Sequence, residues 1–207
     1  MRAALTLAMC LYAIAPASAQ DKGADWWTRL NASQPADIQD LIGVEDDPME
    51  TFVRVTSRAV YQEKTGGLIK AVRADHFLSA TIDRKTGAIA YSFVFWASYS
   101  GDRGVHIQRV NAEGPSGPVP LEHAQRPNEV DGCTRYGCVL SSELLAIVPR
   151  DVLGWAATKP TTSPWKVRLG FDAGNGDRET SPVEVAAFLM KVDAVAAQMA
   201  KGESPEP

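Results

Sequence analysis

Residues 75–99 read DHFLSATIDRKTGAIAYSFVFWASY. Two runs rich in Ile, Val, Tyr, Phe and Thr flank Asp83-Arg84-Lys85-Thr86-Gly87, a turn whose glycine suits positive φ. The stretch reads as a long β-hairpin. In the first run His76, Leu78, Ala80 and Ile82 share one face; in the second Ile89, Tyr91, Phe93 and Phe95 share one face, with Val94 and Trp96 opposite. Apolar residues on both faces of the second run place it in the middle of a sheet.

Working outward, FVRV (52–55), GLIKAV (67–72) and GVHIQRVNA (104–112) are strand candidates, with KTGG (64–67) as a turn. PVPLEHA (118–124) is a weaker one, assigned to a sheet edge by its prolines. CVLSSELLAIVP (138–149) and PWKVRLGFDAG (164–174) complete the set, with a short helical turn at 151–157. The last helix is the clearest local signal. SPVEVAAFLMKVDAVAAQMA (181–200) opens with Ser181 as N-cap, Pro182 at the first helical position and Glu184 placed for a capping box. Val185, Leu189, Val192, Ala196 and Met199 form a stripe at helical spacing that predicts packing on the sheet. The fold class expected is therefore α+β: mainly an antiparallel β sheet or sandwich, with a C-terminal amphipathic helix packed on it and a short N-terminal helical arm.

The start of the chain predicts a destination. MRAALTLAMCLYAIAPASAQ combines an early charge at Arg2, an apolar stretch from Ala3 to Ala15, Pro16 and the small-x-small triplet Ala17-Ser18-Ala19. This is the grammar of a secretory signal peptide over 1–19, with cleavage before Gln20 and a periplasmic or secreted product. The apolar run is too short to cross a bilayer core of about 30 Å. Residues 20–50 are acidic and broken by Pro35 and Pro48, an N-terminal arm with helical patches at 26–30 and 36–42. A single β-rich domain is expected over 51–200, followed by a disordered polar tail at 201–207.

The formal charge of −4 becomes −5 once Arg2 is removed, which makes nucleic acid a poor partner. No stable membrane insertion is expected after signal cleavage. The same removal takes away Cys10 and leaves Cys133 and Cys138 in DGCTRYGC (131–138). An even pair in an oxidising compartment reads as one disulfide. A redox catalyst would more typically carry C-x-x-C at a helix N-terminus, and a zinc site would need a nearby His that neither cysteine has.

Motifs for catalysis are missing. The chain holds no HExxH, no G-x-S-x-G and no phosphate-binding glycine loop. His76, His106 and His123 fall in separate predicted strands, so no metal site or cofactor is assigned. Glu45-Asp46-Asp47 lacks the alternating ligands of a calcium loop and reads as a solvated run, and DAGNGDRE (172–179) reads as the turn between strand and helix.

The hairpin at 75–101, the paired cysteines of DGCTRYGC and Trp155 in the short helix resemble uncharacterised exported, periplasmic proteins of Gram-negative bacteria. The resemblance implies export and a shared fold and brings no activity and no catalytic residue. The function expected is that of a non-catalytic envelope protein binding a protein partner or small ligand through an aromatic β-surface. Trp96, Tyr99 and Tyr136 are the candidates there, with Trp26 and Trp27 as a second docking site. The alternative is a periplasmic hydrolase or metal-dependent enzyme using some of His76, His106, Asp75 and Glu143.

Overall fold

A computed structural model describes residues 22–60, 73–100, 106–126, 129–134, 137–172 and 174–203. The expected signal peptide at 1–19, the expected KTGG turn and GLIKAV strand, Tyr136 and residues 204–207 lie outside the described residues. Helix α1 (Lys22–Ala32) and a 3-10 helix (Pro35–Leu41) form the N-terminal arm. Two antiparallel sheets follow, as the patterning predicts. The larger contains β1 (Gly43–Glu45), β2 (Phe52–Thr56), β3 (Arg73–Asp83), β4 (Ile89–Ser100), β7 (His123–Gln125), β8 (Glu129–Thr134) and β9 (Gly137–Ile147). It runs β1-β2-β3-β4-β9, and β9 is then flanked on its far side by β7 and β8. The smaller sheet runs β11-β10-β5-β6, from β5 (Ile107–Gly114), β6 (Gly117–Pro120), β10 (Trp165–Phe171) and β11 (Gly174–Thr180).

The β3–β4 hairpin anchors the larger sheet. Its turn is held by Asp83, whose Oδ1 accepts hydrogen bonds from the Thr86 hydroxyl (2.8 Å), Thr86 N (2.7 Å) and Lys85 N (3.0 Å). Those bonds, the Thr86 hydroxyl first, hold the carboxyl below its ordinary pKa. Gly87 closes the turn at φ +70°, in the left-handed region that favours glycine. In register, His76 opposes Phe95, Leu78 opposes Phe93 and Ala80 opposes Tyr91, and this face is the core. β4 lies between β3 and β9, the central position that its two apolar faces predict.

Across the sandwich, Trp165, Val167 and Leu169 of β10 point inward and are fully buried. Trp165 meets Phe93 edge-on, with ring centroids 6.4 Å apart at 81°, a geometry that adds about 1 kcal/mol to the burial of two large rings. Helix α2 (Arg150–Ala157) and helix α3 (Pro182–Ala200) close the core, Phe188 of α3 lying edge-on to Tyr91. Arg150 ties these parts together. It donates to Tyr91 Oη at 3.2 Å and to both carboxylate oxygens of Asp193 at 2.9 and 2.7 Å.

Three local expectations are corrected. GNGDRET at 174–180 is a strand rather than a turn, because seven residues pair with β10 from Trp165–Thr180 to Phe171–Gly174. The PVPLEHA segment splits between the sheets, with β6 at an edge of one and β7 on the other. Ser181 caps α3 by accepting from Val183 N at 3.1 Å, but Glu184 completes no capping box because its carboxyl turns to Ser57. The acidic run at 45–47 lies at the surface, with Glu45 and Asp47 exposed, and makes surface ion pairs from Glu45 to Arg54 and from Asp46 to Arg84.

Candidate functional site

Residues at β3, β4 and β9 positions opposite the core form rows across the outer face of the larger sheet. One row runs Asp75–Trp96–Glu143, since Asp75 opposes Trp96 and Trp96 opposes Glu143. The next runs Phe77–Val94–Leu145 and continues to Ala124 of β7. Ile147 opposes Ser92 in the row beyond. Leu145 is 39% and Ile147 42% exposed, Phe77 and Trp96 are half-buried, and Val94 is buried at the centre. Arginines bound the aromatic row at both ends. Arg58 lies 3.8 Å from Asp75 and its guanidinium sits 5.4 Å above the Phe77 ring, while Arg126 lies 3.4 Å from Glu143.

A second polar cluster sits inside. Ser57 continues β2 onto the core side, where Leu78 N donates to its hydroxyl at 3.0 Å and that hydroxyl donates to Glu184 Oε1 at 2.7 Å. Glu184 is 3% exposed. Burial pushes its pKa up to about 8; the Ser57 bond opposes the shift and the neighbouring Asp75 carboxylate adds to it. The carboxyl is therefore mostly protonated at neutral pH. Above the cap, the Ser181 hydroxyl donates to Asn31 Oδ1 at 2.8 Å, which fastens α1 to the start of α3.

His76 is buried on the core face, its ring 5.7 Å from that of Phe93. Its Nε2 lies 2.9 Å from Glu179 O. A carbonyl only accepts, so Nε2 carries the proton. Burial lowers the His76 pKa to about 4, the Glu179 bond opposing and Arg178 adding to the shift. The imidazole is thus neutral, and its hydrogen bond fastens β3 of one sheet to β11 of the other.

These surroundings give Ser57, Glu184 and His76 work inside the protein. The Ser57 hydroxyl is engaged both as donor and as acceptor, and His76 serves an inter-sheet bond, so neither faces an incoming substrate in this arrangement. The four residues of the enzymatic alternative are dispersed. Asp75 and Glu143 share the outer row, separated by Trp96; His76 points to the opposite face; His106 is exposed just ahead of β5. Among the described residues no group of three His, Cys, Asp or Glu side chains could hold a metal ion.

The aromatic candidates also part company. Trp96 lies on the outer face, but Tyr99, an odd number of residues later, lies on the core face and is 7% exposed. Alternation along a strand could have separated them from sequence alone. Trp27 is half-buried against the core and Trp26 lies in α1. Cys133 and Cys138 are disulfide-bonded and directly opposite each other in the β8–β9 hairpin, their Cα atoms 4.0 Å apart. The bond is a cross-strand clamp next to the hairpin tip, with Cys133 exposed.

No protein family, no curated protein and no solved structure matches this chain. The site is accordingly built from its own residues. Ser57 and the Phe77–Val94–Leu145 row were not singled out from sequence, and Glu184 was read only as a capping residue, because each acquires its meaning from elements brought together in space.

Proposed function

We propose that this chain is a non-catalytic exported envelope protein, periplasmic or secreted, that binds a protein partner through the outer face of its larger sheet. The observation that carries the reading is the apolar row of Phe77, Val94 and Leu145 with Ile147 beside it, on the side of the sheet away from the core. The smaller sheet and α3 pack on the core side, around Phe93 and Tyr91. Apolar side chains gathered on a second face and rimmed by charges are what a docking surface requires, and isolated exposed apolar residues are not.

The enclosed polar groups support the same reading. Glu184 and His76 are strongly shifted, which is common at active sites, yet both are spent on holding elements together. Export through a signal segment agrees with the disulfide, which persists in an oxidising compartment.

A photo-crosslinking residue placed at position 145 in cells producing the full chain tests the proposal, with position 166 on the smaller sheet as control. A discrete cross-linked product from 145 and none from 166 is expected. Equal labelling from both positions, or none from either, would remove the outer face as a docking surface.

A further inference from the structure

β7 and β8 flank the same side of β9 but are held there differently. β7 is anchored by its surroundings. Leu121, just before it, is buried, and the Gln125 side chain accepts from Ile107 N of the other sheet at 3.0 Å and donates to Ser142 Oγ at 2.7 Å. β8 contributes nothing comparable to the core: residues 129–133 are all exposed, and Val130, its one aliphatic side chain, is 61% exposed. Its side-chain tie to β9 is an exposed hydrogen bond that Ser141 Oγ donates to Asp131 Oδ1 at 2.8 Å, and its ladder shifts register between Val130 and Gly132. Backbone pairing without a buried face is marginal in water. The covalent bond from Cys133 to Cys138 therefore decides whether β8 stays in place.

The two cysteines differ in access. Cys133 is exposed, whereas Cys138 is half-buried and packs against the core from β9. A thiolate nucleophile thus meets the bond from the Cys133 side. The sulfur it displaces, that of Cys138, remains on a strand that β4 holds along most of its length. Opening the bond costs the core no buried side chain from β8, and the Cys138 thiol stays where re-pairing of β8 brings Cys133 back to it.

We propose that Cys133–Cys138 is a thiol–disulfide exchange site, and that its reduction by a dithiol releases β8 from β9 while the rest of the fold stands. One thiolate of the dithiol attacks Cys133 Sγ, the Cys133–Cys138 bond breaks, and Cys138 leaves as the thiolate. The second thiol of the reductant then attacks its own sulfur in the mixed disulfide and frees Cys133. The chain gains two electrons, the two protons of the dithiol end on the two cysteines, and the reductant becomes a disulfide. Release uncovers the backbone N–H and C=O groups of β9 that had paired with β8, so the reduced form carries a longer open sheet edge. The site is separate from the outer face at Leu145 and does not depend on what docks there.

The test treats the full chain, purified with the bond intact, with dithiothreitol as the probe dithiol and traps released thiols by alkylation over time. Exchange at the native surface should proceed in proportion to dithiothreitol and change less than about twofold in 1 M urea, because no unfolding is needed to reach the bond. A bond reached only through global unfolding would open more than about fivefold faster per molar urea, and that result would overturn the proposal. In the reduced protein the amides of β8 should exchange about thirtyfold faster, the effect of losing the loop closed by the disulfide, with β3, β4 and β10 unchanged. Protection of β8 that survives reduction would make the bond redundant, and acceleration reaching β10 would make it a support of the whole fold; either would also overturn the switch.

Discussion

Replacing Glu184 with Gln should make the protein more stable at neutral pH and expose a pH dependence that the wild type conceals. The buried carboxyl has a folded pKa of about 8 against an ordinary 4.5. Between those values the native state holds a proton that the unfolded chain has released, so stability falls as pH rises, by about 3 kcal/mol from pH 4.5 to 7. His76 does the opposite. Its folded pKa of about 4 lies below the ordinary 6.5, so the unfolded chain takes up a proton first, and stability rises by about 3 kcal/mol from pH 4 to 7. In the wild type the two slopes cancel, giving a curve flat to within about 1 kcal/mol from pH 4 to 6.5 that then declines toward pH 8 as only Glu184 still contributes.

Gln keeps an acceptor for the Ser57 hydroxyl and never ionises. Glu184→Gln should therefore match the wild type near pH 4.5, exceed it by about 3 kcal/mol at pH 7, and climb where the wild type is level. Urea unfolding at pH 4.5, 5.5, 7 and 8, with a common m-value for both proteins, reads this directly. A variant no more stable than wild type at pH 7, or one whose profile merely parallels it, would mean that the carboxyl is not held neutral by burial and that the reasoning fails.

Further outcomes follow from other sites. His76→Gln should cost about 1–2 kcal/mol at pH 7, where the ring's bond to Glu179 is lost. It should also make stability decline steadily from pH 4.5 to 7, the mirror image of the Glu184 variant, in the same urea series. Changing Cys133 and Cys138 together to Ala opens a closed loop of six residues, worth about 2 kcal/mol on the chain-entropy estimate. Amide exchange should accelerate in β8 and the facing half of β9 and stay unchanged in β10; acceleration throughout would make the clamp a global support. Gly87→Ala meets nothing within 4 Å, so a loss of about 1 kcal/mol in thermal unfolding would reflect the left-handed backbone alone, and no loss would mean that the turn relaxes.

The parts of the fold legible in sequence were those in which neighbours along the chain decide the outcome. The β3–β4 hairpin is set by alternation and a five-residue turn, and α3 by its cap, its proline and its stripe. β11 was illegible because GNGDRET is turn chemistry, with strand form imposed by pairing to β10. Glu184 was spelled as a capping residue, and Ser-x-x-Glu is the same spelling whether the carboxyl folds back or reaches Ser57, 127 positions away. The Asp75–Trp96–Glu143 row required the register of three strands, the third of which joins only after the chain has visited the other sheet. Pairing Trp96 with Tyr99 overlooked a parity that the sequence already contained.

That visit has a kinetic consequence. The chain leaves the larger sheet after β4, builds β5 and β6 in the smaller one, returns for β7, β8 and β9, and crosses again for β10 and β11. Val110 thus waits for Leu169, and Phe93 for Ala146 and Trp165. Each sheet is assembled from separated stretches of chain, so loops must close before their contacts reward closure, and folding belongs to the slow, millisecond-to-second regime of interleaved β topologies. The edge-on contact of Phe93 with Trp165 closes late, because β10 follows every strand of the larger sheet along the chain.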